Sequence, residues 1–268
     1  MEPLLAQLVP LVLVAFRLSG LFVFAPMISG ITIPIKVKIL LCLIMGVGLF
    51  GLVRPAALSV PADFFSFAAM AVGEVVIGSV IGLLALIPVV AVQLGGVIMG
   101  QQMGLSLATV FDPSTESDSE VVAQLLLYLA LLVFVLFGGL DTLFLAVARS
   151  FGNAPLGGFS WSEHPGSALK MITGMIGSGM ELALRVSTPV LGIIFVETIA
   201  SGMVMKTMPQ MNIMSIGFGL KVLLGIGAII LSFHAVSDAV GEHVMQGGRL
   251  LFTWPPVPSA SLPEVPNG

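Results

Sequence analysis

Long apolar runs separated by short connectors rich in Gly and Pro set the pattern of this chain. The runs extend from Leu4 to Ile28, Ile39 to Val53, Phe64 to Ala108, Val121 to Ala148, Met171 to Val204 and Ile213 to Val240. A helix crosses a bilayer with about twenty apolar residues, so most of these runs are long enough to span. Ile39 to Val53 is short for a span. Phe64 to Ala108 is too long for one, and Pro88 predicts a break there into two helices or a kinked hairpin. The pattern predicts an all-α, multi-helix membrane-associated protein with six or seven hydrophobic helical segments.

The connectors carry breaker chemistry: Pro26 to Pro34, Arg54 to Pro61, and Asn153 to Gly166. After Gly247 the prolines Pro255, Pro256, Pro258, Pro263 and Pro266 exclude a regular helix, so residues 247–268 read as a Pro-rich disordered tail. One connector differs from the rest. Residues 109–120 hold Val110, Phe111, Asp112, Pro113, Ser114, Thr115, Glu116, Ser117, Asp118, Ser119 and Glu120, an acidic, hydroxyl-rich loop between two nearly uncharged runs. Lipid cannot satisfy the backbone of such a loop, so it belongs at a water interface or in a protein-lined cavity.

Composition agrees with the pattern. Of 268 residues 57% are hydrophobic and 9% charged, where a soluble domain carries about a quarter charged residues; mean hydropathy is +1.12. A net charge of −4 with ten Lys+Arg leaves no basic patch for nucleic acid. The single cysteine, Cys42, lies in an apolar run and reads as a packed thiol. The apolar run from Leu4 lacks a basic leader and reads as a retained membrane segment. Lys36, Lys38, Arg54, Arg149, Lys170 and Lys206 fall in alternate connectors in similar numbers, so the positive-inside rule leaves orientation open.

Glycine spacing predicts close helix packing. Gly78 and Gly82 form one G-x-x-x-G, and Gly96, Gly100 and Gly104 form a longer zipper ending at the acidic loop. Charges at membrane depth are the functional candidates: Arg17, Glu74, Asp141, Glu181, Arg185, Glu197, Lys221, His234 and Asp238. Glu181 and Arg185 share a helix face and read as a structural ion pair. Arg17 and Glu74 lack a local partner and must pair across helices or meet another subunit. His234, Asp238 and Glu242 make a polar stripe with His243 beside it; a metal site or proton relay is one reading, and a helix face emerging toward water is favoured. H-E-x-x-H, Walker A and G-x-S-x-G patterns are absent, so no catalytic, cofactor-binding or metal residues are assigned and no enzyme activity is expected.

Ordered landmarks run through the chain: Arg17-Leu-Ser-Gly20, Pro26, Ile33-Pro34, Gly100-Gln-Gln-Met-Gly-Leu-Ser106, Phe111-Asp-Pro113, Ser150-Phe151 and Pro155. Beyond them come Pro189, Lys206-Thr-Met-Pro-Gln-Met-Asn212 and Ile216-Gly-Phe-Gly-Leu-Lys221. In this order they resemble the FliR family of type III secretion export-gate subunits. Arg17, Gly20, Pro34, Gln102, Gly104, Pro189, Lys206, Pro209, Gln210, Asn212 and Lys221 carry the resemblance. Lys206 stands where arginine is common and Gly219 where proline is common, so a planar fork and an imposed bend are lost.

The resemblance implies helical hairpins in a hetero-oligomeric gate with FliP and FliQ. It also implies FlhA and FlhB nearby, at the bacterial inner membrane within the flagellar basal body. Exported unfolded flagellar proteins would pass through its pore. It further implies a FliP-like part over residues 1–165, a FliQ-like part over 166–246, and a pore plug made by the acidic loop. An injectisome gate subunit is the alternative within the family. A small-solute or ion transporter is the alternative outside it, which should show two similar halves; no clear internal repeat is visible.

Overall fold

The computed structural model describes residues 2–30, 33–53, 63–105, 121–157, 166–207 and 213–253. Among them the chain is entirely helical: α1 (Glu2–Phe24), α2 (Ile35–Val53), α3 (Phe64–Gln102), α4 (Val121–Leu136), α5 (Gly139–Asn153), α6 (Ser167–Thr207) and α7 (Ile213–Thr253). Three of these, α3, α6 and α7, are long and apolar enough to cross a membrane, and α4 with α5 adds a fourth span if the bent pair counts as one. The protein is a multi-helix membrane protein.

Helix ends obey local chemistry. Helix α1 stops just before Pro26, since the residue preceding proline is kept out of the helical region. Met27 then takes a left-handed φ of 67°, a costly backbone for a side chain without a short polar group. The Pro34 carbonyl accepts from the amides of Val37 and Lys38 and so starts α2, four residues earlier than the apolar run suggests. Gly104 ends α3 rather than extending its packing face. Its φ is 80°, its amide donates to Gln101, and the Leu105 amide donates to Gly100, the paired bonds of a glycine-terminated helix.

Three elements differ from the sequence expectation. Helix α3 does not break at Pro88; it is continuous over 39 residues. Proline removes one backbone donor, but apolar surroundings at Val89 and Val92, both buried, favour keeping every other bond inside the helix. Conversely, the run from Val121 to Ala148 is not one rod. It bends by 61° between α4 and α5, where Gly138 sits at φ 70°. Finally, the expected tail begins too early, because α7 continues to Thr253: Leu251 is buried and Phe252 lies under Arg149, with the guanidinium 4.6 Å from its ring centre. The rest of the tail lies outside the described residues, as does the expected boundary near Pro165.

The chain forms two compact units. Among the described residues, those within 1–86, 138–175 and 245–253 make up the first, and those within 87–137 and 176–244 the second. In the first unit α1 packs on α2, and α2 also touches α5. Helices α1 and α3 meet through glycine. A Cβ on Gly78 would strike the Arg17 carbonyl, one on Gly20 would strike Val75, and one on Gly82 would stand 2.7 Å from the Leu21 carbonyl. Backbones this close gain dispersion contact that a larger residue would prevent.

In the second unit a Cβ on Gly96 would stand 2.6 Å from the Ala123 backbone of α4, and one on Gly95 would stand 3.0 Å from the Ala183 carbonyl of α6. Helices α6 and α7 run antiparallel there, since ion pairs join residue 185 to 242 and 197 to 221.

Candidate functional site

Three buried charges organise the apolar interior, two in the first unit and one in the second. In the first unit Arg17 is fully buried and Glu74 is 1% exposed. A charge in such surroundings must be paired and hydrogen-bonded. The Arg17 Nε donates to Glu74 Oε2 at 2.5 Å. One terminal nitrogen donates to Ser150 Oγ at 2.9 Å and the other to the Ala154 carbonyl at 3.0 Å. Its guanidinium carbon lies 4.0 Å from the Phe151 ring centre, a cation–π contact.

The other oxygen of Glu74 accepts from the Gly157 amide at 2.9 Å, and the Ser150 hydroxyl donates to the Val147 carbonyl at 2.7 Å. Both partners of the ion pair thus also hold the backbone of residues 154–157. The planar fork of arginine is what permits three differently placed acceptors.

In the second unit Glu197 is 4% exposed and lines an open apolar groove of about 750 Å³ between α6 and α7. The Ser201 hydroxyl donates to its Oε1. Its other oxygen accepts from the Thr198 hydroxyl at a long 3.5 Å and lies 3.8 Å from Lys221 Nζ, whose side chain is 30% exposed. Pro189, Gly192 and Gly217 complete the groove wall, and a Cβ on either glycine would meet nothing within 4 Å.

The other described sequence candidates lie on exposed faces, at helix ends or at helix crossings. Arg185 does not pair with Glu181. Its NH1 lies 3.6 Å from Glu242 of α7, with both side chains largely exposed; spacing of four shares a face but does not direct a long side chain away from a closer partner on the next helix. His234 lies 4.0 Å from Asp238, and this stripe is also exposed. Gln102 and Lys206 are exposed at the ends of α3 and α6, where Lys206 suits the negative end of the helix dipole. Gly20 sits in the α1–α3 crossing and Pro34 caps α2. Val110 to Glu120 and Pro209, Gln210 and Asn212 lie outside the described residues. Among the described residues no group of three or more His, Cys, Asp or Glu is placed to hold a metal ion.

Residues 8–247 match the family described as "Bacterial export proteins, family 1". The chain belongs to this family. Among its relatives, the flagellar biosynthetic protein FliR of Escherichia coli (strain K12) is 32% identical over 216 residues, covering 78% of each chain. FliR of Bacillus subtilis (strain 168) is 26% identical over 225 residues, 84% of this chain and 86% of the relative. The surface presentation of antigens protein SpaR of Shigella sonnei is 24% identical over 236 residues, 86% of this chain and 89% of the relative. Family membership, apolar helices and these relatives make the chain a membrane-embedded protein of bacterial type III export.

Within the matched span lie Arg17, Glu74 and Ser150. The sequence marks Arg17 and Glu74 as charges without local partners, but it does not single out Ser150 or the Gly157 amide as their ligands. The Ser150-Phe151 landmark is the only signal pointing there.

Proposed function

We propose that this chain is a subunit of the flagellar type III protein export gate, in the bacterial inner membrane within the basal body. It joins FliP and FliQ around the pore through which unfolded flagellar proteins cross, with FlhA and FlhB alongside. The observation that carries this reading is the uncovered surface of α6 and α7. Of their most apolar stretches only 17% and 22% is buried, against 61% in α3. Lipid tolerates apolar surface but not a carboxylate at the edge of an open groove. The Glu197 groove therefore suits a neighbouring subunit, and the relatives, flagellar FliR proteins among them, support reading that neighbour as part of the export gate. The same reading divides the chain into a FliP-like part, 1–165, and a FliQ-like part, 166–246.

In this reading residues 109–120 fill the closed pore, with hydrated carboxylates in the lumen and Phe111 in the seal. The role in assembly is tested by co-purification from a strain lacking its own FliR. The chain should bring down FliP and FliQ and restore swimming, and a chain that does neither overturns the proposal. Deleting Ser114 to Ser119 should leave assembly intact and raise ion leakage. An assembled deletion that leaks no more than wild type removes the plug.

A second reading, an injectisome gate subunit, is favoured by the SpaR similarity. It predicts rescue of secretion in an injectisome mutant rather than of swimming.

A further inference from the structure

A second groove, of about 530 Å³, runs between α1 and α2 in the first unit and takes no part in the sites above. Its walls are apolar: Phe16, Phe22 and Val23 of α1 face Ile39 and Leu43 of α2. Lys38 also lines it. Its Nζ donates to the carbonyls of Ser29 and Gly30, at 3.0 Å each. Two neutral carbonyls hold the ammonium in place without cancelling its charge, and they occupy only two of its three donors.

Lys36 adds an exposed cation at the same end of α2. Between Pro3 and Ala62 the sequence carries Arg17, Lys36, Lys38 and Arg54 and not one Asp or Glu, in a chain whose net charge is −4. Of these, Arg17 is already paired with Glu74. The outer face of α2 is apolar, with Leu40, Ile44 and Val47 exposed by 58%, 61% and 62%.

An occupant must therefore be apolar along the helices and anionic beside Lys38. We propose that this groove binds an anionic phospholipid, one acyl chain lying between α1 and α2 and the phosphate on Lys38. A single acyl chain can enter between two helices already in contact. A partner helix, about 10 Å across, can only cover them from outside. The lysines supply the charge preference, because cations at a membrane surface attract anionic headgroups. This inference needs only that the chain is membrane-embedded and is independent of the gate proposal.

The test uses the full chain, extracted in mild detergent and equilibrated with equal phosphatidylglycerol and phosphatidylethanolamine. Retained lipid is counted by native mass spectrometry. Wild type should hold phosphatidylglycerol in preference. Lys38→Gln keeps a donor for the Ser29 and Gly30 carbonyls but removes the charge. It should lower that preference about fivefold, the factor equivalent to about 1 kcal/mol for one lysine. Ser19→Leu, which fills the groove and leaves the charge, should lower retention of both lipids.

Equal retention of the two lipids by wild type overturns the proposal without reference to any variant. So does an unchanged preference in Lys38→Gln, or unchanged retention in Ser19→Leu. A photo-crosslinker at Leu43 should capture lipid; capture of a partner subunit instead would assign the groove to protein.

Discussion

Arg17 and Glu197 are both buried charges on apolar helices, yet the chain treats them differently. Around Arg17 three helices and the segment after α5 converge, and the guanidinium, the carboxylate and the backbone of residues 154–157 satisfy one another. Around Glu197 the nearest cation stays 3.8 Å away and partly in solvent, and one wall of the site is open. A buried pair is costly to desolvate and still costlier to leave half-made. The first unit completes its own interior, whereas the second carries a charge whose surroundings a neighbour can finish. In an assembly, the first kind of site specifies the subunit's shape and the second specifies where it is covered.

The strongest way to break this contrast is Glu74→Gln. It leaves the Arg17 charge uncompensated in the interior and should destabilise the chain by about 3–5 kcal/mol, read as loss of accumulated protein and of thermal stability in detergent. Gly78→Leu comes next, because its side chain meets the α1 backbone; overpacking costs about 1–3 kcal/mol, and more where backbone must move. Gly192→Leu at the open groove should leave the unassembled chain unaffected while reducing recovery of the complex. Equal losses in both glycine variants would erase the difference between the units.

Arg17→Lys sharpens the comparison, since it keeps the charge and discards the fork. Losing the Ser150 and Ala154 contacts should cost roughly 1–3 kcal/mol. A lysine chain as stable as wild type would mean the node is only a charge pair. Glu197→Gln should lower the stability of the unassembled chain by no more than about 1 kcal/mol, as Lys221 remains partly hydrated. Its larger effect belongs to complex recovery. The smallest effect is expected from exchanging Arg185 and Glu242, an exposed pair worth about 1 kcal/mol or less. A large loss there, measured by complex yield, would place that face against a partner.

Several of these features are legible in the residues themselves and several are not. Charges at positions 17, 74, 197 and 221 stand out in apolar runs by composition alone. The ends of α1 and α2 are set by Pro26 and Pro34, because proline acts on its own backbone and the residue before it. Gly104 reads as a packing residue in the sequence and is a helix terminator in the structure. Spacing cannot tell a glycine at a helix end from one on a helix face, because both belong to the same G-x-x-x-G pattern. The bend at Gly138 has a local signal in the Gly138-Gly139 pair, but hydropathy runs through it unbroken. Pro88 misleads in the other direction, because a single proline cannot outweigh dozens of intrahelical bonds in apolar surroundings.

Sequence by itself determined the membrane class, the helical segments and the rarity of the charges that matter, because hydropathy and backbone preference act over a few residues. Tertiary structure decided the pairings. Arg17 finds Glu74 at a separation of 57 residues and Ser150 at 133, and nothing local distinguishes these from other polar residues on other helices. Their meeting depends on how closely α1 and α3 cross at Gly20 and Gly78. That distance is set by packing of whole helix faces, and so are the choice of Glu242 over Glu181 for Arg185 and the opening left beside Glu197.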